Sequence, residues 1–179
     1  ARQMPVGQVL IVMGLAGIMV FAAQARRAGD PPLPGAVLSR TMALRSGSEL
    51  AGRLLYALAI ALTPISTASA ILQATPLVVV LGAALVFGER VSAGRWAVIA
   101  LGFAGVLVIL RPGLAGFDHL SLLALGGMLG FAGRDLATRA APPALSNAQL
   151  GVAGFAVLGI SGLVILSVTG GASLPSASG

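Results

Sequence analysis

Ionisable side chains are few in these 179 residues: eleven Arg, no Lys, five Asp or Glu, one His and no Cys. With one His and no Cys, a metal centre has no ligand set. The sequence holds no Ser/His/Asp constellation, no Gly-rich phosphate loop between a strand and a helix, and no basic–aromatic stripe for nucleic acid. The expectation is therefore a protein that is not an enzyme and has no cofactor, metal or nucleic-acid partner. Two groups of residues remain that can act on a ligand. Ser69, Gln73 and Thr75 lie in an otherwise apolar run interrupted by Pro76, with Tyr56 a segment earlier. A proline inside a helix removes one backbone hydrogen bond and frees a carbonyl, which a membrane helix tolerates where neighbours or water re-satisfy the group. This stretch reads either as a kinked helix offering neutral hydrogen bonds to a solute, or as a packing bend whose hydroxyls bond their own backbone. The second group is Asp135, flanked by Arg134 and with Arg139 at i+4. It reads either as a structural ion pair or as a proton or substrate site, because ionisable residues within a membrane are functional suspects.

The remaining charges read as structural. Glu49, Arg53, Glu89, Arg90 and Arg95 are expected near the membrane interface within reach of water, with Glu49 four residues before Arg53 in the favourable order for a helical pair. His119 beside Asp118 reads as a solvated pair in a short outer loop.

The elements that must hold these residues are set by composition. Apolar residues make up 57% of the chain and charged residues 9%, too few charges to cover a soluble globule. At about 20 residues per crossing the length allows six or seven transmembrane helices. The first span is expected over 4–23, closed by Arg26 and Arg27, and Pro31, Pro32 and Pro34 keep the following connector out of a long helix. Residues 37–45 of that connector suit a short amphipathic piece in the interface. Leu54 to Gly88 is 35 residues without a charge, divided near Pro64, which gives spans over about 46–63 and 67–88. A fourth follows over 92–110, with Arg95 and Trp96 as interface anchors and Arg111-Pro112-Gly113 as its stop. The fifth, from Leu120, reaches spanning length only by continuing through Arg134, Asp135 and Arg139 to Pro142-Pro143, and the sixth covers 148–168. Gly126 and Gly130 form a GxxxG pair on the fifth, and Gly151, Gly154 and Gly159 line the sixth, the small-residue pattern through which membrane helices pack.

If the loops alternate sides, nine arginines fall on one face and only Arg2 and Arg111 on the other. The positive-inside rule makes loops 24–49, 88–95 and 134–147 cytoplasmic. The first residue is Ala and the last eleven are a Gly/Ser/Ala/Pro-rich stretch, so truncation at both ends is expected.

Several short pieces recur in order: Tyr56-Ala57-Leu58-Ala59-Ile60-Ala61-Leu62-Thr63-Pro64, then Ala68-Ser69-Ala70-Ile71-Leu72-Gln73-Ala74-Thr75-Pro76-Leu77, then Phe87-Gly88-Glu89-Arg90-Val91, and Gly102-Phe103-Ala104-Gly105-Val106 leading into Arg111-Pro112-Gly113. This series resembles the closing three helices of an EamA domain of the drug/metabolite transporter superfamily. The resemblance implies an all-α, polytopic transmembrane bundle of ten helices in two five-helix inverted repeats around a solute cavity, of which about six are here. On that plan residues 1–113 are most of the first repeat, lacking its first helix, and 114–179 open the second. It further implies a secondary solute permease of the bacterial inner membrane working by alternating access. The pathway residues would be Tyr56, Ser69, Gln73, Thr75 and Pro76. Its partners would be a small-molecule solute, the lipid bilayer, and a second copy or the missing half of the same chain. The alternative is a non-transporting membrane module for packing or assembly, whose interior polar groups would pair with one another and leave no cavity.

Overall fold

The computed structural model describes residues 4–110 and 119–169, and among these every regular element is helical. Seven α-helices follow in order: α1 Val6–Arg27, α2 Arg40–Leu62, α3 Ile65–Leu72, α4 Thr75–Phe87, α5 Ala93–Leu110, α6 Ser121–Arg139 and α7 Asn147–Thr169, with a 3₁₀ turn at Gly35–Leu38 before α2. With α3 and α4 taken together over Ile65–Phe87, these are six helical stretches. Three of them, α1, α3–α4 and α7, are clearly long and apolar enough to cross a membrane. Arg2, Arg111, Pro112, Gly113 and Asp118 lie outside the described residues, as does the 113/114 repeat boundary.

Local chemistry sets most helix ends. The first span runs one turn beyond the expected 23, because Arg26 and Arg27 suit the negative end of the helix dipole. Gly29 then adopts φ +82°, a left-handed conformation that costs glycine little. The Asp30 N–H reaches the Ala25 carbonyl and the Gly29 N–H that of Arg26, closing the helix with a Schellman pair. The second helix starts six residues earlier than expected. Ser39 supports its first turn through its carbonyl to Ala43 (2.9 Å) and its hydroxyl to Met42 (3.4 Å), so the amphipathic piece expected over 37–45 is mostly the opening of α2. At the start of α7, Ser146 and Gln149 form a capping box: the Ser146 N–H donates to Gln149 Oε1 (2.9 Å) and the Gln149 N–H to Ser146 Oγ (3.4 Å).

The described residues group into two compact units, 4–46 with 141–169, and 47–140 without the undescribed segment. In the first, α1 and α7 run antiparallel in close contact. A Cβ on Gly7 would stand 2.7 Å from the Gly162 carbonyl oxygen, and one on Gly14 would stand 2.8 Å from Gly159 Cα. Phe21 stacks on Phe155 at 5.4 Å between ring centroids. Backbones this close gain dispersion contacts that bulkier residues would forbid. Gln149, 3% exposed, also donates from Nε2 to the Pro31 carbonyl at 2.9 Å, tying the proline-rich connector to the start of α7. The Arg45 guanidinium lies against Gly154, whose missing side chain makes room for it.

In the second unit the later turns of α2 pack antiparallel on α6. A Cβ on Gly130 would meet Gly52 Cα at 2.5 Å, and one on Gly127 would meet Tyr56 Cβ at 3.0 Å. The close approach is thus made by Gly127 and Gly130, while Gly126 of the expected GxxxG pair faces the Leu55 side chain. Below it lies an apolar cluster of Ala59, Ala68, Ile71, Ala74, Ala124 and Met128, which seats α3 on α2 and α6.

Candidate functional site

The expected single span over 67–88 is broken in two. Pro76 has no N–H to offer the Leu72 carbonyl four residues back, and its ring crowds that carbonyl. The chain responds by tightening through Gln73 and Ala74. The Ala74 N–H donates to Ile71 and the Leu77 N–H to Ala74, each at 3.0 Å and three residues apart. The orphaned Leu72 carbonyl accepts a hydrogen bond from the Thr75 hydroxyl at 2.5 Å. Among the described backbone bonds none ends on the Gln73 carbonyl.

An open cleft of about 490 Å³ lies at this break, lined by Tyr56, Ser69, Leu72, Gln73, Thr75 and Pro76. It brings together the five residues singled out from the sequence as a pathway. Tyr56, Ser69 and Thr75 are half-buried, while Gln73 and Pro76 are exposed. Their roles divide. The Thr75 hydroxyl is committed to the backbone, as the packing interpretation of this stretch requires. The Tyr56, Ser69 and Gln73 side chains have no hydrogen-bond partner among the described residues, so they are available to a solute. Tyr56 is oriented by an edge contact with Phe131 at 6.3 Å and 70° between rings. The Arg134 guanidinium stands over that Phe131 ring, 5.4 Å from its centroid.

Six charged side chains of this unit, Glu49, Arg53, Glu89, Arg134, Asp135 and Arg139, pair with one another. Arg53 donates to Glu49 at 2.9 Å, and Arg134 approaches the same carboxylate oxygen at 3.9 Å. Arg134 also binds Asp135 at 2.7 Å, and Arg139 reaches back to Glu89 at 3.1 Å. Asp135 and Arg139 are thus both in ion pairs, but Arg134 is the partner of Asp135, and Arg139 joins the end of α6 to the α4–α5 turn. Glu49 departs from expectation in another way: it is 4% exposed rather than in reach of water. The reason is the Gly52–Gly130 contact, which brings α6 down over this turn of α2 and covers the carboxylate with Arg134. The signal in the sequence was the glycine at 52, three residues from Glu49 on the same helix. The Ser146–Gln149 capping pair was equally legible as S-x-x-Q and equally overlooked. His119 is exposed in the turn before α6.

The family described as EamA-like transporter family matches residues 2–111. The riboflavin transporter of Rhizobium johnstonii is 38% identical over 80 residues, which is 45% of this chain and 26% of that protein. The chain therefore matches about a quarter of that relative's length. No solved structure matches the chain. With broken and apolar membrane-length helices in place and the family matched over most of the chain, this protein belongs to the EamA-like transporter family and is a multi-pass membrane protein of the drug/metabolite transporter type.

Proposed function

We propose that this chain is part of a secondary permease that moves a small-molecule solute across the bacterial inner membrane through the cleft beside Gln73 and Pro76. The observation that carries this reading is the convergence of Tyr56, Ser69, Gln73, Thr75 and Pro76 on one open cleft at an interrupted apolar helix. Broken helices supply solute sites in transporters, because unwound backbone and exposed polar side chains can replace water around a substrate. Alternating access then consists of one repeat rocking against another, with residues 1–113 as most of the first repeat and 114–179 opening the second. A second copy, or a further half of the same chain, would complete the pathway. Loops 24–49, 88–95 and 134–147 face the cytoplasm on this reading.

The competing reading, a packing or assembly module without transport, expects interior polar groups to be paired internally. Thr75 and the Glu49–Arg134 cluster fit that expectation, whereas Ser69 and Gln73 beside the cleft do not. Riboflavin, the cargo named for the relative, is a candidate cargo here and heads the list of solutes to try. In vesicles containing the complete protein, uptake and efflux of a solute panel should show at least one carried compound. Gln73→Ala should slow its transport roughly tenfold, the scale of one lost hydrogen bond. Unchanged transport in that variant would remove Gln73 from the pathway.

A further inference from the structure

We infer that the cleft selects uncharged, planar solutes bearing an amide-type edge, and that Gln73 is its specificity-determining residue. This inference rests on the reading of the cleft as the solute pathway. Among the six lining residues, Tyr56, Ser69, Leu72, Gln73, Thr75 and Pro76, there is no carboxylate, guanidinium or imidazole. A charged solute would find no counter-charge among these six side chains. Of the neighbouring arginines, Arg95 lines a different cavity beside Pro76, and three others are already engaged. Arg53 is held by Glu49 at 2.9 Å, Arg134 by Asp135 at 2.7 Å and Arg139 by Glu89 at 3.1 Å. Turning any of these three toward a ligand breaks an ion pair that it now makes.

The polar capacity that remains is small and defined. The Thr75 hydroxyl is spent on Leu72, which leaves the Tyr56 phenol, the Ser69 hydroxyl and the Gln73 carboxamide. Of these only the carboxamide presents a donor and an acceptor side by side in one plane, the complement of a cis-amide or imide edge. Tyr56 adds an aromatic surface whose orientation is fixed by Phe131, and Leu72 and Pro76 add apolar walls. Such surfaces favour a flat solute. A volume of about 490 Å³ admits a bicyclic ring or a ring with a sugar.

The test uses the complete chain in lipid nanodiscs with radiolabelled uridine, a neutral planar imide, as probe. Uridine 5′-monophosphate and 3-methyluridine serve as competitors. The expected result is saturable uridine binding, with the monophosphate several-fold weaker and the N-methylated compound weaker by about tenfold. Gln73→Leu should remove the difference between uridine and 3-methyluridine. Binding of the monophosphate as tightly as uridine, retention of the methyl discrimination in Gln73→Leu, or no uridine binding would each overturn the inference. These 179 residues hold no cysteine, and Ser69→Cys, with any cysteine elsewhere in the complete protein replaced by Ser, separates these failures from failure of the pathway reading. Labelling of that thiol by a water-soluble methanethiosulfonate leaves the cleft as a solute path with the wrong class assigned. A thiol closed to the reagent overturns both.

Discussion

Thr75 and Gln73 lie two residues apart at the same helix break and do opposite things. Thr75 repairs the backbone damage that Pro76 causes, and Gln73 is left with its polar groups unspent. Thr75→Val keeps the shape and removes the donor, leaving the Leu72 carbonyl without its partner. It should cost about 1–3 kcal/mol of stability, measured as a lowered thermal unfolding midpoint in detergent, while Thr75→Ser should stay near the parent. The ionic cluster offers a second contrast. Glu49→Ala leaves Arg53, and the approach of Arg134, without the buried carboxylate, for a loss of about 1–3 kcal/mol. Asp135 has a side chain 40% exposed, so Asp135→Asn should cost under about 1 kcal/mol despite its shorter contact. Chemical denaturation of the three proteins side by side checks the order. Both residue types were visible in the sequence, yet only tertiary packing decided which carboxylate would be covered. Glu49 looked like an interface residue because i,i+4 pairing with Arg53 is satisfied equally well in water.

At the scale of elements, apolar run length and proline placement were enough to locate the six long helical stretches between Val6 and Thr169. Their ends shifted where capping intervened, as at Ser39 and Gly29. The break at Gln73–Ala74 was legible as a kink at Pro76, but not as two separate helices, since that depends on how Ala74 and Thr75 redistribute hydrogen bonds. Glycine positions were legible and their facing was not: helix–helix register selects Gly127 and Gly130 over Gly126. This register yields a sharp comparison on α1 and α7. Gly14→Ala forces a Cβ to 2.8 Å from Gly159 Cα and should lower stability by about 1–3 kcal/mol. Gly159→Ala points into open space and should be near neutral, within about 0.5 kcal/mol. Thermal unfolding of the purified protein distinguishes the two variants.

For the whole molecule, the family and the multi-pass character follow from matched sequence and apolar helices together. The arginine asymmetry makes a claim about sidedness that can be checked directly. Single cysteines introduced at Leu33 in the proline-rich connector and at Ser92 in the α4–α5 turn should react with an impermeant reagent from the same side of the membrane. Labelling from opposite sides would break the nine-to-two partition and the repeat plan built on it.

The α1–α7 contact has a temporal consequence. Residues 28–146 leave the ribosome after the first helix and before its partner, an interval on the order of ten seconds at ordinary translation speeds. Throughout that wait α1 must survive in lipid with its Gly7–Gly14 seam uncovered. Its long apolar surface, including exposed Val12, Met13, Leu15 and Met19, suits it to lipid during that wait. Chain synthesis arrested shortly before residue 147 should therefore leave α1 inserted in the bilayer and open to a crosslinker, whereas release past residue 169 should close that seam.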